Sequence, residues 1–210
     1  MTKQGLVIQA TGSWYQVVCE DETLHCRIRG KLRLKGVRST NPVVVGDVVH
    51  IECDNTGEWV IYDIVPRRNY IIRRASNLSK ESHIIAANID QALIVVTLIE
   101  PQTALEFVDR FLITCEAYKV PATILLAKID LLESNPEAIA EFHAIYESAG
   151  YNVIDISATQ GIGVDVVKDI LKGKTTLVSG NSGVGKSTII NQIVPDSHAR
   201  TAQISDYHHK

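Results

Sequence analysis

The sequence predicts two folded parts, a small all-β barrel up to about residue 68 and an α/β domain over residues 69–210. Short β-branched and aromatic runs separated by turn signals predict the barrel. Apolar strands that alternate with amphipathic helices predict the α/β domain. A glycine-rich stretch, GNSGVGKS, lies between a predicted strand and a predicted helix late in the chain and carries the first functional signal.

Composition excludes several classes of protein. The chain is 45% hydrophobic and 21% charged with a formal net charge of -3, which is typical of soluble globular proteins. No apolar run has the length of a membrane span, and the start MTKQGLVIQA lacks a signal-peptide core. We therefore expect a monomeric cytoplasmic protein with no membrane partner. Four scattered cysteines favour reduced thiols over a zinc site.

The first part contains five strand-like runs and no convincing helix. This pattern is typical of an OB-fold, although an SH3-like barrel would produce almost the same pattern. A basic and polar stretch that follows, PRRNYIIRRASNLSKES, is interpreted as a linker. The predicted strands are LVIQ, WYQVVC, HCRIR, VVVGDVVHIEC and EWVIYDIV.

The second part alternates four predicted strands with helices. Such alternation implies right-handed crossovers and a parallel sheet. In the first helix, Leu105, Val108, Leu112 and Cys115 recur at steps of three and four and predict one apolar face. The predicted strands are QALIVVTLI, ATILLAKID, YNVIDISAT and TTLVSG.

The glycine-rich stretch matches the phosphate-loop pattern G-x-x-x-x-G-K-[ST] and lies in the required strand-to-helix context. Its glycines let backbone N–H groups face a β-phosphate at a helix N-terminus. Lys186 is predicted to stabilise charge on the β- and γ-phosphates during catalysis, and the Ser187 hydroxyl to bind Mg²⁺. The predicted phosphate-binding residues are Gly180, Asn181, Ser182, Gly183, Val184, Gly185, Lys186, Ser187 and Thr188.

Two further stretches, AKID and SA, follow the second and third predicted strands. They resemble the base-reading motifs of the GTPase superfamily, of which the first is N-K-x-D. A carboxylate at Asp130 can accept hydrogen bonds from the ring N1–H and the exocyclic amine of guanine, a pair that adenine lacks. The resemblance implies that the Lys128 stem covers the base and that the Ala158 N–H donates to O6. The predicted base-binding residues are Ala127, Lys128, Ile129, Asp130, Ser157 and Ala158.

One residue departs from the superfamily pattern. Ala127 stands where the superfamily has asparagine, whose side chain contacts the base edge and ties this loop to the phosphate loop. A methyl group makes neither hydrogen bond, and the loss of one or two buried hydrogen bonds costs about 1–3 kcal/mol. Asp130 keeps the main means of selecting guanine.

The order of the motifs, AKID, then SA, then GNSGVGKS, is typical of a circularly permuted GTPase. Together with the barrel and the DQALIVV and DRFL segments, it resembles the ribosome small subunit-dependent GTPase A family. That resemblance implies Mg²⁺-dependent GTP hydrolysis, used in late maturation of the small ribosomal subunit, with the subunit and its rRNA as partners. One alternative is a non-catalytic RNA-binding module whose truncated G domain only binds nucleotide. Another is an ATP-using P-loop enzyme, which Lys128 and Asp130 argue against.

The family continues past the end of this chain with switch threonines, a D-x-P-G motif and a C-terminal zinc domain. We therefore expect the zinc ligands outside this sequence, negligible hydrolysis by the 210-residue chain alone, and TTLVSG at the edge of the sheet. Asp54–Gly57 also matches D-x-x-G but lies between two predicted barrel strands, which predicts a hairpin turn.

A basic stripe in the barrel predicts RNA binding. In RIRGKLRLK every second residue is basic and no acid interrupts them, so an extended segment would present one charged face. A merely solvated strand face is the alternative. Arg67, Arg68, Arg73 and Arg74 extend this patch or belong to a hydrated linker. The predicted RNA-binding residues are Arg27, Arg29, Lys31, Arg33 and Lys35.

Overall fold

The computed structural model describes residues 2–28, 42–74 and 82–194, and the chain divides into two compact units, Met1–Ile89 and Asp90–Lys210. The first unit contains β1 (Thr2–Thr11), β2 (Trp14–Cys19), β3 (Glu22–Ile28), β4 (Val48–Cys53), β5 (Trp59–Ile64), β6 (Tyr70–Arg74) and β7 (Ser82–Ala87). The second contains β8 (Gln91–Val96), α1 (Leu105–Ala117), β9 (Ala122–Ala127), a 3-10 helix (Ile129–Leu132), α2 (Pro136–Ser148), β10 (Asn152–Ile156), α3 (Val164–Leu171), β11 (Thr176–Ser179) and α4 (Lys186–Ile193).

Strands β1 to β5 close into a barrel in the order β1-β2-β3-β5-β4, which confirms the predicted OB-like architecture. The β3–β5 pair is parallel and the others are antiparallel. Alternate residues point inward, so Val17 and Cys19 of β2 meet Ile51 of β4 and Ile61 of β5 in one buried core. The inward-facing residues of the strands therefore stabilise the barrel.

The β4–β5 connection is the predicted hairpin turn. The Asp54 carboxylate accepts hydrogen bonds from the backbone N–H groups of Thr56 at 2.8 Å and Glu58 at 3.0 Å. Gly57 has a φ of +84°, which favours glycine. The D-x-x-G match at this position is thus a structural turn.

The linker interpretation of residues 66–82 is wrong where the structure describes this stretch, at residues 66–74 and Ser82. Tyr70–Arg74 forms β6, which pairs with β7 as a two-stranded antiparallel hairpin beyond the predicted boundary at residue 68. Tyr70 and Ile72 pack against a buried cluster of Val44, Ile84 and Ala87. The apolar residues inside the basic stretch explain why it folds.

Arg67 is neither a hydrated linker residue nor part of an RNA-binding patch. Its guanidinium donates to both Asp47 carboxylate oxygens, at 2.6 and 2.7 Å, and also to the Pro42 carbonyl at 2.9 Å. The two side chains are only 8% and 0% exposed. Asp47 in turn accepts from the Val44 N–H at 2.8 Å, so the ion pair joins two backbone segments, residues 42–47 and Arg67.

The second unit is built on a parallel sheet in the order β10-β9-β8-β11, as the strand–helix alternation predicts. Every residue of β8 is buried. Ile94 and Val96 face one cluster with α1 and α2, whereas Leu93 and Val95 face another with α3 and α4. Helices therefore cover both faces of the sheet.

The predicted apolar face of α1 holds for Val108, Leu112 and Cys115, which are buried. Leu105 is an exception because it is the first residue of the helix, where it lines an open groove and stays 40% exposed. None of the helices that the structure describes is long and apolar enough to cross a membrane.

Strand β11 lies at the edge of the sheet as predicted. Among the described residues it pairs only with β8, and its four residues are all half-buried. The phosphate loop follows this edge strand directly.

Candidate functional site

The three predicted motif loops leave the carboxyl ends of β9, β10 and β11. Because parallel strands end at the same side of a sheet, these loops gather at one edge, the usual position of ligand sites in α/β folds. They enclose a cavity of about 220 Å³. Its lining consists of Ala127, Lys128, Asp130, Leu131, Ala158, Thr159, Val184, Gly185, Thr188 and Ile189.

Three glycines of the phosphate loop, Gly180, Gly183 and Gly185, have a positive φ. Gly180 has a φ of +146°, and a Cβ there would lie 2.5 Å from the Val95 carbonyl oxygen of β8. Gly185 has a φ of +93° and is the residue that precedes α4. The loop thereby lies close against the sheet and directs the N-terminus of α4 to the side where a phosphate would bind.

Lys186 folds back over the phosphate loop. Its Nζ donates to the carbonyl oxygens of Gly180 at 2.8 Å and Asn181 at 2.5 Å. Burial lowers the pKa of Lys186. A phosphate oxygen would favour the charged ammonium and offset that burial. The lysine is therefore positioned above the loop where phosphate charge would be stabilised.

Ser187 occupies the first turn of α4, directly after Lys186, and is half-buried. Its hydroxyl oxygen is the kind of ligand that Mg²⁺ accepts. Within the described ranges, no three His, Cys, Asp or Glu side chains lie together as a metal site. At phosphate loops of this pattern the loop hydroxyl is one of the Mg²⁺ ligands beside phosphate oxygens, and Ser187 is placed to supply that hydroxyl.

The base-reading loop begins at the end of β9. Lys128 has a left-handed φ of +60°, which turns the chain into the 3-10 helix carrying Asp130, and its Nζ donates to the Glu100 carbonyl. Ala127 and Val184 belong to one buried apolar cluster and line the same cavity. Where the superfamily pattern has asparagine, the base loop and the phosphate loop therefore share an apolar surface.

The second base loop follows β10 and is ordered by hydrogen bonds. Ser157 is fully buried, and its N–H donates to the Ile162 carbonyl at 3.0 Å. Its Oγ accepts from the Gln160 N–H at 3.2 Å. The Ala158 carbonyl accepts from Gln192 of α4, which ties this loop to the helix that follows the phosphate loop.

The cavity lining includes seven of the residues predicted for nucleotide binding: Ala127, Lys128, Asp130, Ala158, Val184, Gly185 and Thr188. Ile129 lies elsewhere, because it packs against the cluster beneath α1 and α2. Sequence reasoning did not select Leu131, Thr159 or Ile189. Thr159 could have been selected from the sequence, since it is a hydroxyl residue directly after the SA pair.

In the barrel, Arg27 is the one residue of the predicted basic stripe within the described part of the chain. Arg29, Lys31, Arg33 and Lys35 lie outside the described residues. The Arg27 guanidinium lies 4.0 Å from the centre of the Trp14 ring, and Trp14 is 44% exposed. The two residues are cross-strand partners of β2 and β3 and form an exposed cation–π pair.

Comparison with known proteins agrees with this architecture. The RsgA GTPase family model matches residues 64–210, and the RsgA N-terminal domain model matches residues 4–61. The chain belongs to the RsgA GTPase family. A Phocaeicola vulgatus protein named small ribosomal subunit biogenesis GTPase RsgA is 52% identical over 99% of this chain and 67% of its own length. A Christiangramia forsetii protein of the same name is 49% identical, over 98% of this chain and 67% of its own length.

Two solved structures have the same fold. YjeQ from Thermotoga maritima matches with a TM-score of 0.75 and 32% identity, over 96% of this chain and 68% of that one. YloQ, described as a circularly permuted GTPase, matches with a TM-score of 0.67 and 30% identity, over 94% and 66%. The predicted permutation is confirmed, and the chain spans about two thirds of the length of these family members.

Proposed function

We propose that this chain binds guanine nucleotides at the edge of its α/β sheet and forms part of a Mg²⁺-dependent GTPase that acts in the biogenesis of the small ribosomal subunit, with negligible hydrolysis by the 210 residues alone. The observation that carries the proposal is the cavity enclosed jointly by the base loop, the second base loop and the start of α4. A guanine base fits between Lys128 and Ala158, with its N1–H and amine toward Asp130.

The phosphates would lie over the glycine-rich loop, where three features favour negative charge. Backbone N–H groups of the loop would face the phosphates, the N-terminus of α4 carries partial positive charge, and the Lys186 ammonium lies over the loop, bonded to the Gly180 and Asn181 carbonyl oxygens. Lys186 would exchange its carbonyl partners for phosphate oxygens. Ser187 would hold Mg²⁺, which neutralises charge on the β- and γ-phosphates.

The barrel would supply the contact with ribosomal RNA. The Trp14–Arg27 pair supports this role because it places a cation beside an exposed aromatic ring, and proteins bind single-stranded nucleic acids with this combination of groups. An unpaired nucleobase would stack on the indole face that Arg27 does not cover. Arg27 would exchange its present ion-pair partner, the Glu58 carboxylate 3.7 Å away, for a phosphate, and Arg29, Lys31, Arg33 and Lys35 would neutralise further phosphates. We place this protein in the cytoplasm, where ribosomal subunits are assembled.

Calorimetric titration of the 210-residue chain with GDP and ADP tests the nucleotide assignment. GDP should bind more tightly, and Asp130→Asn should reduce that preference because the amide cannot accept both guanine hydrogen bonds. Asp165→Asn, an exposed change in α3, is the matched control and should leave the preference intact. Equal affinity of the parent chain for GDP and ADP would disprove the guanine assignment.

A second measurement separates the GTPase from the non-catalytic alternative. GTP hydrolysis should be assayed with and without small ribosomal subunits, in the full-length protein and in its Lys186→Ala variant. A switch enzyme should show turnover that rises with added subunits and falls in the variant. Subunit binding without any Lys186-dependent hydrolysis would favour the RNA-binding module.

A further inference from the structure

A chain of hydroxyl groups connects the second base loop to the base-reading carboxylate. Thr159 Oγ1 lies 3.3 Å from Asp130 Oδ2, and the Ser157 hydroxyl lies 3.0 Å from Thr159 Oγ1. The Gln160 N–H donates to the same Ser157 hydroxyl at 3.2 Å. Four groups from two loops thus form one continuous series of hydrogen bonds.

The two ends of this series determine its direction. A backbone N–H can only donate, and an ionised carboxylate can only accept. Each hydroxyl has one hydrogen, so the Gln160 N–H donates to Ser157, Ser157 donates to Thr159, and Thr159 donates to Asp130. Ser157 is fully buried, which leaves its hydroxyl no solvent alternative. Each of the three hydrogens takes part in one hydrogen bond, so no two donors compete for the same acceptor.

Thr159 itself lies at the ligand-binding surface. It is exposed, it lines the 220 Å³ cavity together with Asp130, and within the described residues it is the one donor to that carboxylate. A single hydrogen bond to Oδ2 fixes the rotation of the carboxylate plane. It also leaves lone pairs on both oxygens for the N1–H and amine of a guanine base.

We infer that Thr159 is a positioning residue that sets guanine specificity by orienting the Asp130 carboxylate. The inference rests on the proposed guanine site and adds a residue to it. It explains how the base loop is held although Ala127 cannot bond to the phosphate loop, because Thr159 ties it to the second base loop instead. Gln192 then ties that loop to α4 through the Ala158 carbonyl.

The test compares GDP with inosine diphosphate, which lacks the exocyclic amine that Asp130 would read. In the parent chain GDP should bind more tightly than inosine diphosphate. Thr159→Val keeps the shape but removes the hydroxyl, and should weaken GDP binding roughly 3- to 10-fold while affecting inosine diphosphate less. The ratio of the two affinities should therefore fall. Thr159→Ser retains the hydroxyl and should keep the ratio of the parent.

Two controls separate positioning from loss of structure. Thr159→Val should lower the thermal midpoint without nucleotide, because the buried Ser157 hydroxyl loses its acceptor, but binding measured well below that midpoint isolates positioning, since loss of structure lowers the affinity for both nucleotides alike. In an Asp130→Asn background, Thr159→Val should change the affinity ratio no further. An unchanged ratio in the single variant, or equal losses for both nucleotides, would overturn the inference. If the parent chain does not prefer GDP over ADP, the proposed guanine site fails and the inference fails with it.

Discussion

The barrel and the α/β unit present their candidate binding groups in different ways. On the barrel, Trp14 and Arg27 project from the outer faces of paired strands, as side chains on a rigid support. In the α/β unit, Asp130, Ala158 and Gly180 lie beyond strand ends, and part of the proposed phosphate binding would come from backbone N–H groups. A side-chain surface tolerates single substitutions, whereas a backbone site depends on the path of the chain.

This difference predicts where each unit is vulnerable. The barrel should lose stability at its buried polar contacts and lose RNA binding only gradually at its surface. The α/β unit should lose ligand binding abruptly when a loop conformation changes, even without a change in charge.

The largest expected effect is on the stability of the first unit. Asp47→Ala leaves the Arg67 guanidinium buried without its bidentate partner, and should lower the free energy of unfolding by about 3–5 kcal/mol. Denaturant unfolding measures the change. Replacing both residues, as Asp47→Ala with Arg67→Met, should recover much of the loss because no charge remains buried.

A matched surface pair provides the control. Glu22→Ala removes the partner of Lys3, which lies 2.7 Å away on the outside of the barrel, and should change the unfolding midpoint little. A loss as large as that of Asp47→Ala would contradict the distinction between buried and surface contacts.

The next effect concerns the phosphate loop. Gly180→Ala should weaken nucleotide binding more than about tenfold, since a Cβ would meet the Val95 carbonyl oxygen at 2.5 Å and displace the loop. Gly57→Ala is the matched barrel substitution, because Gly57 also has a positive φ but has open space around it. Calorimetry should show nucleotide binding retained in Gly57→Ala, and equal losses in both would point to general destabilisation.

The third effect tests the departure from the superfamily motif. Ala127→Asn should tighten GDP binding roughly tenfold, because an amide restores hydrogen bonds to the base edge and the phosphate loop. Ala127 lines the cavity, so space for the larger side chain exists on that side. Weaker GDP binding, as measured by calorimetry, would mean that the apolar contact with Val184 contributes more than the restored hydrogen bonds.

Motifs with strict spacing were the most predictable part of the molecule. Gly180, Gly185 and Lys186 lie in the predicted loop because the phosphate-loop pattern requires a particular backbone path. The five barrel strands and the four strands of the parallel sheet were also predictable, since a period of two in the barrel and continuous apolar runs in the sheet indicate how each strand is buried.

Contacts between distant residues were not predictable. Arg67 reads as a solvated basic residue in the sequence, and only the fold brings it to Asp47, 20 positions earlier. Thr159 likewise joins Asp130 across 29 positions. The β6–β7 pair was not predictable because the apolar run Tyr70–Ile72 is short and lies between two pairs of arginines, which is typical of a solvated linker.

A smaller effect is expected on the barrel surface. Arg27→Ala should lower RNA affinity a few-fold and reduce the slope of log affinity against log salt by roughly 0.7–1, because one phosphate contact is lost. Charge reversal at Arg29, Lys31 and Arg33 should reduce that slope further and leave GDP affinity unchanged. Lys168→Ala, an exposed change in α3, is the control. An unchanged salt slope in the triple variant would favour a merely solvated strand face.

The smallest effect is on the pH dependence of stability in the α/β unit. His143 of α2 lies 2.8 Å from both the Glu147 carboxylate and the Asp155 carboxylate of β10. Burial lowers the pKa of His143, but its hydrogen bonds to the two carboxylates outweigh burial, and the pKa lies above its ordinary value. The charged ring therefore stabilises the folded state while it remains protonated.

The sign of the effect follows from the raised pKa. This contribution should be fully present below about pH 6.5, the pKa of an unfolded histidine, and should be lost as the pH rises through the higher folded pKa. Denaturant unfolding at a series of pH values from 6 to 9 should show a decline that His143→Gln flattens. Glu147→Gln keeps the Asp155 contact with β10 and should flatten the decline only in part. If His143→Gln retains the slope of the parent, the connection between α2 and β10 does not depend on the charge of this ring, and the small pH dependence must originate from other groups.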